Sequence, residues 1–344
     1  MNRQDEMQSV SSRRSFLFRA GGAFVASVAL RRAALASDFL TSDFAFVQES
    51  APDPPMPSFI EHHVPRDGHK LYAREYAGSG PALVLLHGFP DNLHIYDRLI
   101  PFLINAHRRV VAFDFLGFGA SDKPAGYKYT FEQQTGDIQT VVDFLKLEKV
   151  IPVAHDAGGV AAIDYVLANP QRISNMCLLN TFYGDAPTLR FPELIALFAD
   201  PDLKAFSQAI LSDPKQVEFL LTFQERQFQT GVSSDLKDVM NKYLQPIINK
   251  NFAQHPSAGP AFAQLTGRLN PQLKLNDKHL SQFGELTLPI SIIWGQGDPY
   301  LNTGVAKDFA ARLKKSSLHL LDAGHWPQID RPELVAKLLL EDIH

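Results

Sequence analysis

The sequence predicts an α/β fold, in which a mostly parallel sheet of eight strands carries helices on both faces and is interrupted once by a helical insertion. Three observations predict it. Short, continuous apolar runs recur at Ala82–Leu86, Val110–Phe113, Val150–Val153, Ser174–Leu179, Ile290–Trp294 and Leu318–Leu321. Runs of this kind belong to strands buried on both faces. Between them, Phe131–Leu147, Val160–Leu167, Gly304–Leu313 and Pro332–Leu340 repeat their apolar residues at helical spacing, which places helices on either side of the sheet. Residues 184–285 then break the alternation, with helical segments such as Asp213–Gln229 and Asp235–Ile248 and no strand pattern.

Taken in order, the domain opens near residue 58. Phe59–Val64 and Lys70–Tyr76 flank Arg66-Asp67-Gly68, the pattern of two strands joined by a tight turn. The buried strands and their helices follow. The insertion falls between the sixth and seventh strands, so it reads as a cap over the strands' C-terminal edge, where open α/β sheets bind ligands. No internal repeat is present. Residues 37–57 hold Pro52, Pro54, Pro55 and Pro57 with little periodicity and read as a linker.

Composition narrows the function classes. With 344 residues, 45% of them hydrophobic and 20% charged, the chain can bury a large core, and wholesale disorder is excluded. Removing residues 1–36, which carry six Arg against one Asp and one Glu, takes the net charge from −4 to −8. An acidic body without Lys/Arg clusters argues against nucleic acid or anionic membrane as a partner. Cys177 is the one cysteine, so no intrachain disulfide forms, and its run Met176-Cys177-Leu178-Leu179 marks it as a small buried hydrophobe. The twelve His residues show no metal-ligand spacing and no glycine-rich phosphate loop is present, so neither metal nor cofactor is expected.

The first 36 residues read as an address. Ser12-Arg13-Arg14-Ser15-Phe16-Leu17 resembles the twin-arginine export motif, an apolar stretch runs from Ala20 to Leu30, and Ala34-Leu35-Ala36 offers a small-x-small cleavage site. The apolar stretch falls short of the ~20 residues that span a bilayer. The expectation is therefore a periplasmic or secreted protein beginning at Ser37, with no stable membrane insertion after processing.

Chemistry concentrates at three strand ends. Val153-Ala154-His155-Asp156-Ala157-Gly158-Gly159 closes an apolar strand and opens a helix, with small residues two positions either side of Asp156. That is the spacing of a nucleophile elbow, where the turn is too sharp for large flanking side chains. Serine usually holds the centre; here it is a carboxylate, and no G-x-S-x-G occurs. Asp298 follows the late strand in Ile292-Ile293-Trp294-Gly295-Gln296-Gly297-Asp298, and His325 follows the last one in Ala323-Gly324-His325-Trp326. Nucleophile, acid, base is the chain order this architecture requires.

With Leu86-His87-Gly88-Phe89-Pro90 added, the chain resembles the soluble epoxide hydrolase and haloalkane dehalogenase branch of the α/β-hydrolase superfamily, which carries H-G-x-P and an aspartate nucleophile. The likeness covers about residues 58–183 and 286–344, and extends to the cap at about 184–285 in position and helical content. It implies the α/β-hydrolase fold, with the backbone N–H groups of Phe89 and Ala157 as oxyanion hole. It also implies an alkyl ester on Asp156 that water, activated by His325, hydrolyses.

The leaving group decides the substrate. Dehalogenases of this branch hold halide with indole or amide N–H donors, one usually a Trp directly after the nucleophile, where this chain has Ala157. Its two tryptophans are Trp294, in a strand, and Trp326, beside the histidine. Epoxide hydrolases place acidic hydroxyls in the cap, commonly tyrosines. Here Tyr243 is the candidate substrate-binding donor, with Tyr183, His255 and His279 behind it. The first reading is an exported hydrolase opening an apolar epoxide to a vicinal diol. A dehalogenase with an unusual halide site is the second. A binding protein on a retired hydrolase scaffold is the third, disfavoured because all three triad positions hold competent residues.

Overall fold

A computed structural model describes residues 54–343. The expected signal segment, residues 1–36, and most of the linker lie outside the described residues. The eight strands are β1 (Ile60–Arg66), β2 (His69–Tyr76), β3 (Ser79–Leu86), β4 (Arg108–Phe113), β5 (Val150–Asp156), β6 (Met176–Thr181), β7 (Ile290–Gly295) and β8 (Ser316–Leu321). They form one sheet in the order β1-β2-β4-β3-β5-β6-β7-β8. β2 alone runs against the direction of the other seven strands. Asp67 and Gly68 connect β1 to β2 with φ of 50° and 82°, the two left-handed residues of a type I′ hairpin turn.

The apolar runs become the inner strands because both of their faces are covered: every residue of β6 and β7 is buried. On the faces lie α1 (Ile100–Asn105), α2 (Phe131–Phe144) and α3 (Gly158–Ala168). α1 carried no signal in the sequence reading. At six residues, with Pro101 in its first turn, it is too short to show a helical period.

Between β6 and β7 the described chain forms no strand. It contains α4 (Glu193–Ala199), α5 (Lys204–Leu211), α6 (Pro214–Phe228), α7 (Ser234–Val239), α8 (Gln245–Ala253), α9 (Gly259–Thr266), α10 (Leu269–Asp277) and α11 (Leu280–Gly284). Met240–Leu244 is a π-helical turn that joins α7 to α8, so the segment predicted as one helix runs on as helix through that turn to Ala253. The chain ends with α12 (Thr303–Arg312), α13 (Pro327–Asp330) and α14 (Pro332–Asp342).

β3 is flanked by β4 on one side and β5 on the other. The connections from β3 and β5 therefore leave in opposite directions and open a crevice at their C-terminal ends. His87–Pro90 and Asp156 occupy those two ends.

Candidate active site

Asp156 ends β5 with φ of 50°, a left-handed conformation in a non-glycine residue. Such a position costs on the order of 1–3 kcal/mol and persists only where the surroundings enforce it. One passing segment, His87-Gly88, enforces it here. A Cβ on Gly88 would stand 2.3 Å from Asp156 Oδ1, and one on Gly158 would stand 2.4 Å from the carbonyl oxygen of His87. The elbow needs glycine at Gly88 as well as the small flanking residues expected from its own motif.

The segment pressed against the elbow is also its hydrogen-bond donor. The Phe89 N–H donates to Asp156 Oδ1 at 3.2 Å, and the Ala157 N–H bonds the same carboxylate. Both groups expected to form an oxyanion hole thus converge on the Asp156 carboxyl.

His325 stands on the other side. Its Nε2 is 3.5 Å from Asp156 Oδ2, and its Nδ1 is 2.5 Å from Asp298 Oδ2. Asp298 is buried, and its second oxygen accepts the N–H groups of Tyr300 and Leu301 at 2.9 and 3.1 Å. Asn180, from the end of β6, donates to Asp298 Oδ2 at 2.9 Å and accepts from the Gly295 N–H at 2.7 Å. Asn180 ends an apolar strand and cannot itself supply a charge. In the fold it clamps the carboxylate that does.

A second buried cluster holds the histidine loop. His155 Nε2 lies 2.9 Å from the carbonyl oxygen of His325, and its Nδ1 is 3.5 Å from Asp91 Oδ2. The Trp326 indole N–H donates to the same Asp91 oxygen at 3.0 Å. Sequence reasoning missed Asp91 and His155, because their only signal is adjacency to the H-G-x-P and elbow motifs.

Charge follows from this packing. Burial alone would raise the Asp156 carboxyl, but the hydrogen bond and charge of His325, aided by His155 and the Ala157 N–H, hold it below the usual carboxylate range. For Asp298 burial is again outweighed, here by His325, Asn180 and the Tyr300 N–H. Burial would depress His325, yet Asp298 and Asp156 together raise it well above the ordinary histidine range. The resting site is an imidazolium between two carboxylates.

Asp156 and His325 open onto a cavity walled mainly by apolar side chains, among them Phe89, Phe182, Leu221, Phe228, Ile248 and Leu269. Its polar walls are Gln224, Glu225, Tyr300 and Trp326. Tyr243 is not among the lining residues, which corrects the expectation that it binds substrate. Leu244 and Ile248 are buried in the core, and Tyr243, in the π-helical turn beside them, is only half-buried against it. Its ring meets the Arg98 guanidinium and the Lys242 ammonium at 4.5 and 4.8 Å from the ring centre.

The reserve donors are elsewhere too. The Tyr183 hydroxyl donates to Asp164 at 2.6 Å with His279 beside it at 3.4 Å, and His255 is exposed. Among the described residues no group of three or more His, Cys, Asp or Glu side chains is placed to hold a metal ion.

The chain matches the family model described as alpha/beta hydrolase fold over residues 81–332, and it belongs to that family. It is 27% identical over 291 residues to the haloalkane dehalogenase of Psychrobacter cryohalolentis, a match covering 78% of this chain and 86% of that one. Bifunctional epoxide hydrolase 2 of Sus scrofa is 24% identical over 322 residues, covering 83% of this chain and 55% of that protein. Among solved structures, the epoxide hydrolase CorEH without ligand shares the fold with a TM-score of 0.63 at 20% identity, over 83% of this chain and 98% of that one. Relatives of both activities thus agree with the branch that the elbow and the H-G-x-P motif resemble.

Proposed function

We propose that this protein hydrolyses apolar epoxides to vicinal diols through an alkyl ester on Asp156. The observation that carries the reading is the ionised carboxylate at the elbow, held by two backbone N–H groups and His325 at the floor of an apolar cavity. Asp156 attacks a ring carbon, and the carbon–oxygen bond breaks with its electron pair passing to oxygen, which takes up a proton. The ester leaves Asp156 uncharged.

His325 then keeps only Asp298 of its two carboxylates, so its hold on its proton weakens when a base is needed. The imidazolium passes its proton to solvent, and neutral His325 then removes a proton from water, whose oxygen adds to the ester carbonyl carbon. The resulting oxyanion faces the Phe89 and Ala157 N–H groups. Collapse expels the diol oxygen, which receives the proton from His325; Asp156 ionises again, and His325 takes a proton back from solvent.

Epoxide is preferred over haloalkane because the indole donors are occupied. The Trp326 N–H goes to Asp91, and the Trp294 N–H donates to the carbonyl oxygen of Leu301 at 2.6 Å. Haloalkane hydrolysis remains the second reading because of the dehalogenase relatives. Incubation with matched epoxide and haloalkane panels, with diol and halide read in parallel, decides between them. Diol from epoxides with negligible halide is the expected result, and halide release without diol reverses the assignment.

We also propose export by the twin-arginine route. Replacing Arg13 and Arg14 by Lys is expected to retain the precursor in the cytoplasm. Fractionation and N-terminal sequencing check this, and mature protein still beginning at Ser37 outside the cytoplasm would end the proposal.

A further inference from the structure

Opening an epoxide needs an acid, because an alkoxide is a poor leaving group at neutral pH. In-line attack by Asp156 places the departing oxygen on the far side of the carbon. His325 stands beside the nucleophile, 3.5 Å from its carboxylate, so its proton is on the wrong side. The acid must come from the wall that the insertion and the loop after β7 contribute.

That wall offers two acidic protons, those of Tyr300 and Glu225. The Tyr300 hydroxyl already donates to Glu193 and accepts from Gln224 Nε2 at 2.8 Å. Gln224 is fully engaged as well, since its carbonyl oxygen takes the Leu194 N–H at 2.9 Å. Glu225 differs. Its residue is 7% exposed, and its buried Oε1 has no hydrogen-bond partner. α6 reaches the site through Phe228, whose ring centroid is 4.9 Å from that of His325. Glu225 lies three residues back on the same helix face, about one turn from that contact.

We propose that Glu225 is the catalytic acid that protonates the departing epoxide oxygen. The inference rests on the epoxide reading above. As Asp156 bonds to carbon and the ring carbon–oxygen bond breaks, the Glu225 O–H proton passes to oxygen, leaving a β-hydroxyalkyl ester and a Glu225 carboxylate. After hydrolysis the proton that Asp156 sheds restores Glu225 through water, and epoxide plus water has become diol.

Burial pushes the Glu225 carboxyl up to about 7, against a weaker pull from the Gln245 side chain, so a substantial fraction of the group keeps its proton in neutral solution. Few charges face it. Gln245 is the polar contribution of α8, Glu193 of α4 is turned to Tyr300 and Gln224, and Lys204, the charged residue of α5, is exposed. Across the cavity stand Asp156 and His325.

Single-turnover ester formation with styrene oxide, followed against pH, tests the assignment. In the wild type the rate is expected to fall about tenfold per pH unit above ~7. Glu225→Gln is expected to slow ester formation by about 10²–10⁴ at pH 6 and to abolish that limb. Glu225→Asp should retain a limb, which separates acid chemistry from packing. A Gln variant with the wild-type rate and limb overturns the role of Glu225 while leaving epoxide hydrolysis in place. Should that variant not fold, a wild-type profile flat from pH 6 to 9 overturns the proposal by itself. Absence of diol from the wild type with every epoxide tested overturns both readings.

Discussion

Asp156→Asn is expected to lower turnover by on the order of 10⁴–10⁶, the loss typical when a nucleophile is removed from a triad. Asparagine keeps the size of the side chain and tolerates the left-handed backbone at this position, so the fold should survive. A neutral amide, however, forms no alkyl ester. The companion measurement uses the unaltered enzyme in heavy-oxygen water. In a single turnover the new diol oxygen should come from Asp156, and the label should enter its carboxylate. Label in the diol during that first turnover would show direct attack by water and end the ester mechanism. The variant should also change His325. One of the two carboxylates that raise its proton affinity is gone, so its imidazole should titrate at lower pH than in the wild type, visible by NMR.

The parts of this site that were legible in the sequence are those that local sterics dictate. Ala154, Gly158 and an intervening carboxylate announce the elbow because no other turn needs that spacing. Asp298 and His325 are legible because each ends an apolar strand, and strand ends in this architecture meet at one edge. Phe89 and Ala157 were named from resemblance, and the structure brings both N–H groups to one carboxylate.

What stayed hidden depends on long-range packing. The need for glycine at Gly88 comes from Asp156, 68 positions later in the chain, and the part of Asn180 from its hydrogen bond to Asp298, 118 later. Tyr243 went astray for a related reason. Helical spacing shows that a tyrosine lies on an amphipathic helix, yet a π-helical turn interrupts that spacing at Met240–Leu244, and the Tyr243 ring meets Arg98. Glu225 escaped notice because one carboxylate in a helix of mixed polarity reads as a solvated residue until its burial is seen.

His325→Gln is expected to leave the enzyme stalled as its own ester. Glutamine has no basic nitrogen to take a proton from water, so hydrolysis should slow by about 10²–10⁴ or more while attack by Asp156 continues. The stalled species is readable by intact mass, and the increment identifies the chemistry. An epoxide opens without losing an atom and adds its full mass. A haloalkane adds only its alkyl group, because halide departs. The variant should also acquire a new pH dependence. His325 supplies the strongest of the effects that lower Asp156 below the usual carboxylate range, against burial that raises it. Without the imidazolium, His155 and the Ala157 N–H still oppose burial but its largest counterweight is gone, and the carboxyl should hold its proton to higher pH. Protonated Asp156 is no nucleophile, so the adduct should form slowly in mild acid and faster as pH rises. Peptide mapping should place the adduct on the fragment containing Asp156. A variant that still turns over at the wild-type rate would remove His325 from the hydrolytic step. An adduct on a different residue would move the nucleophile away from the elbow.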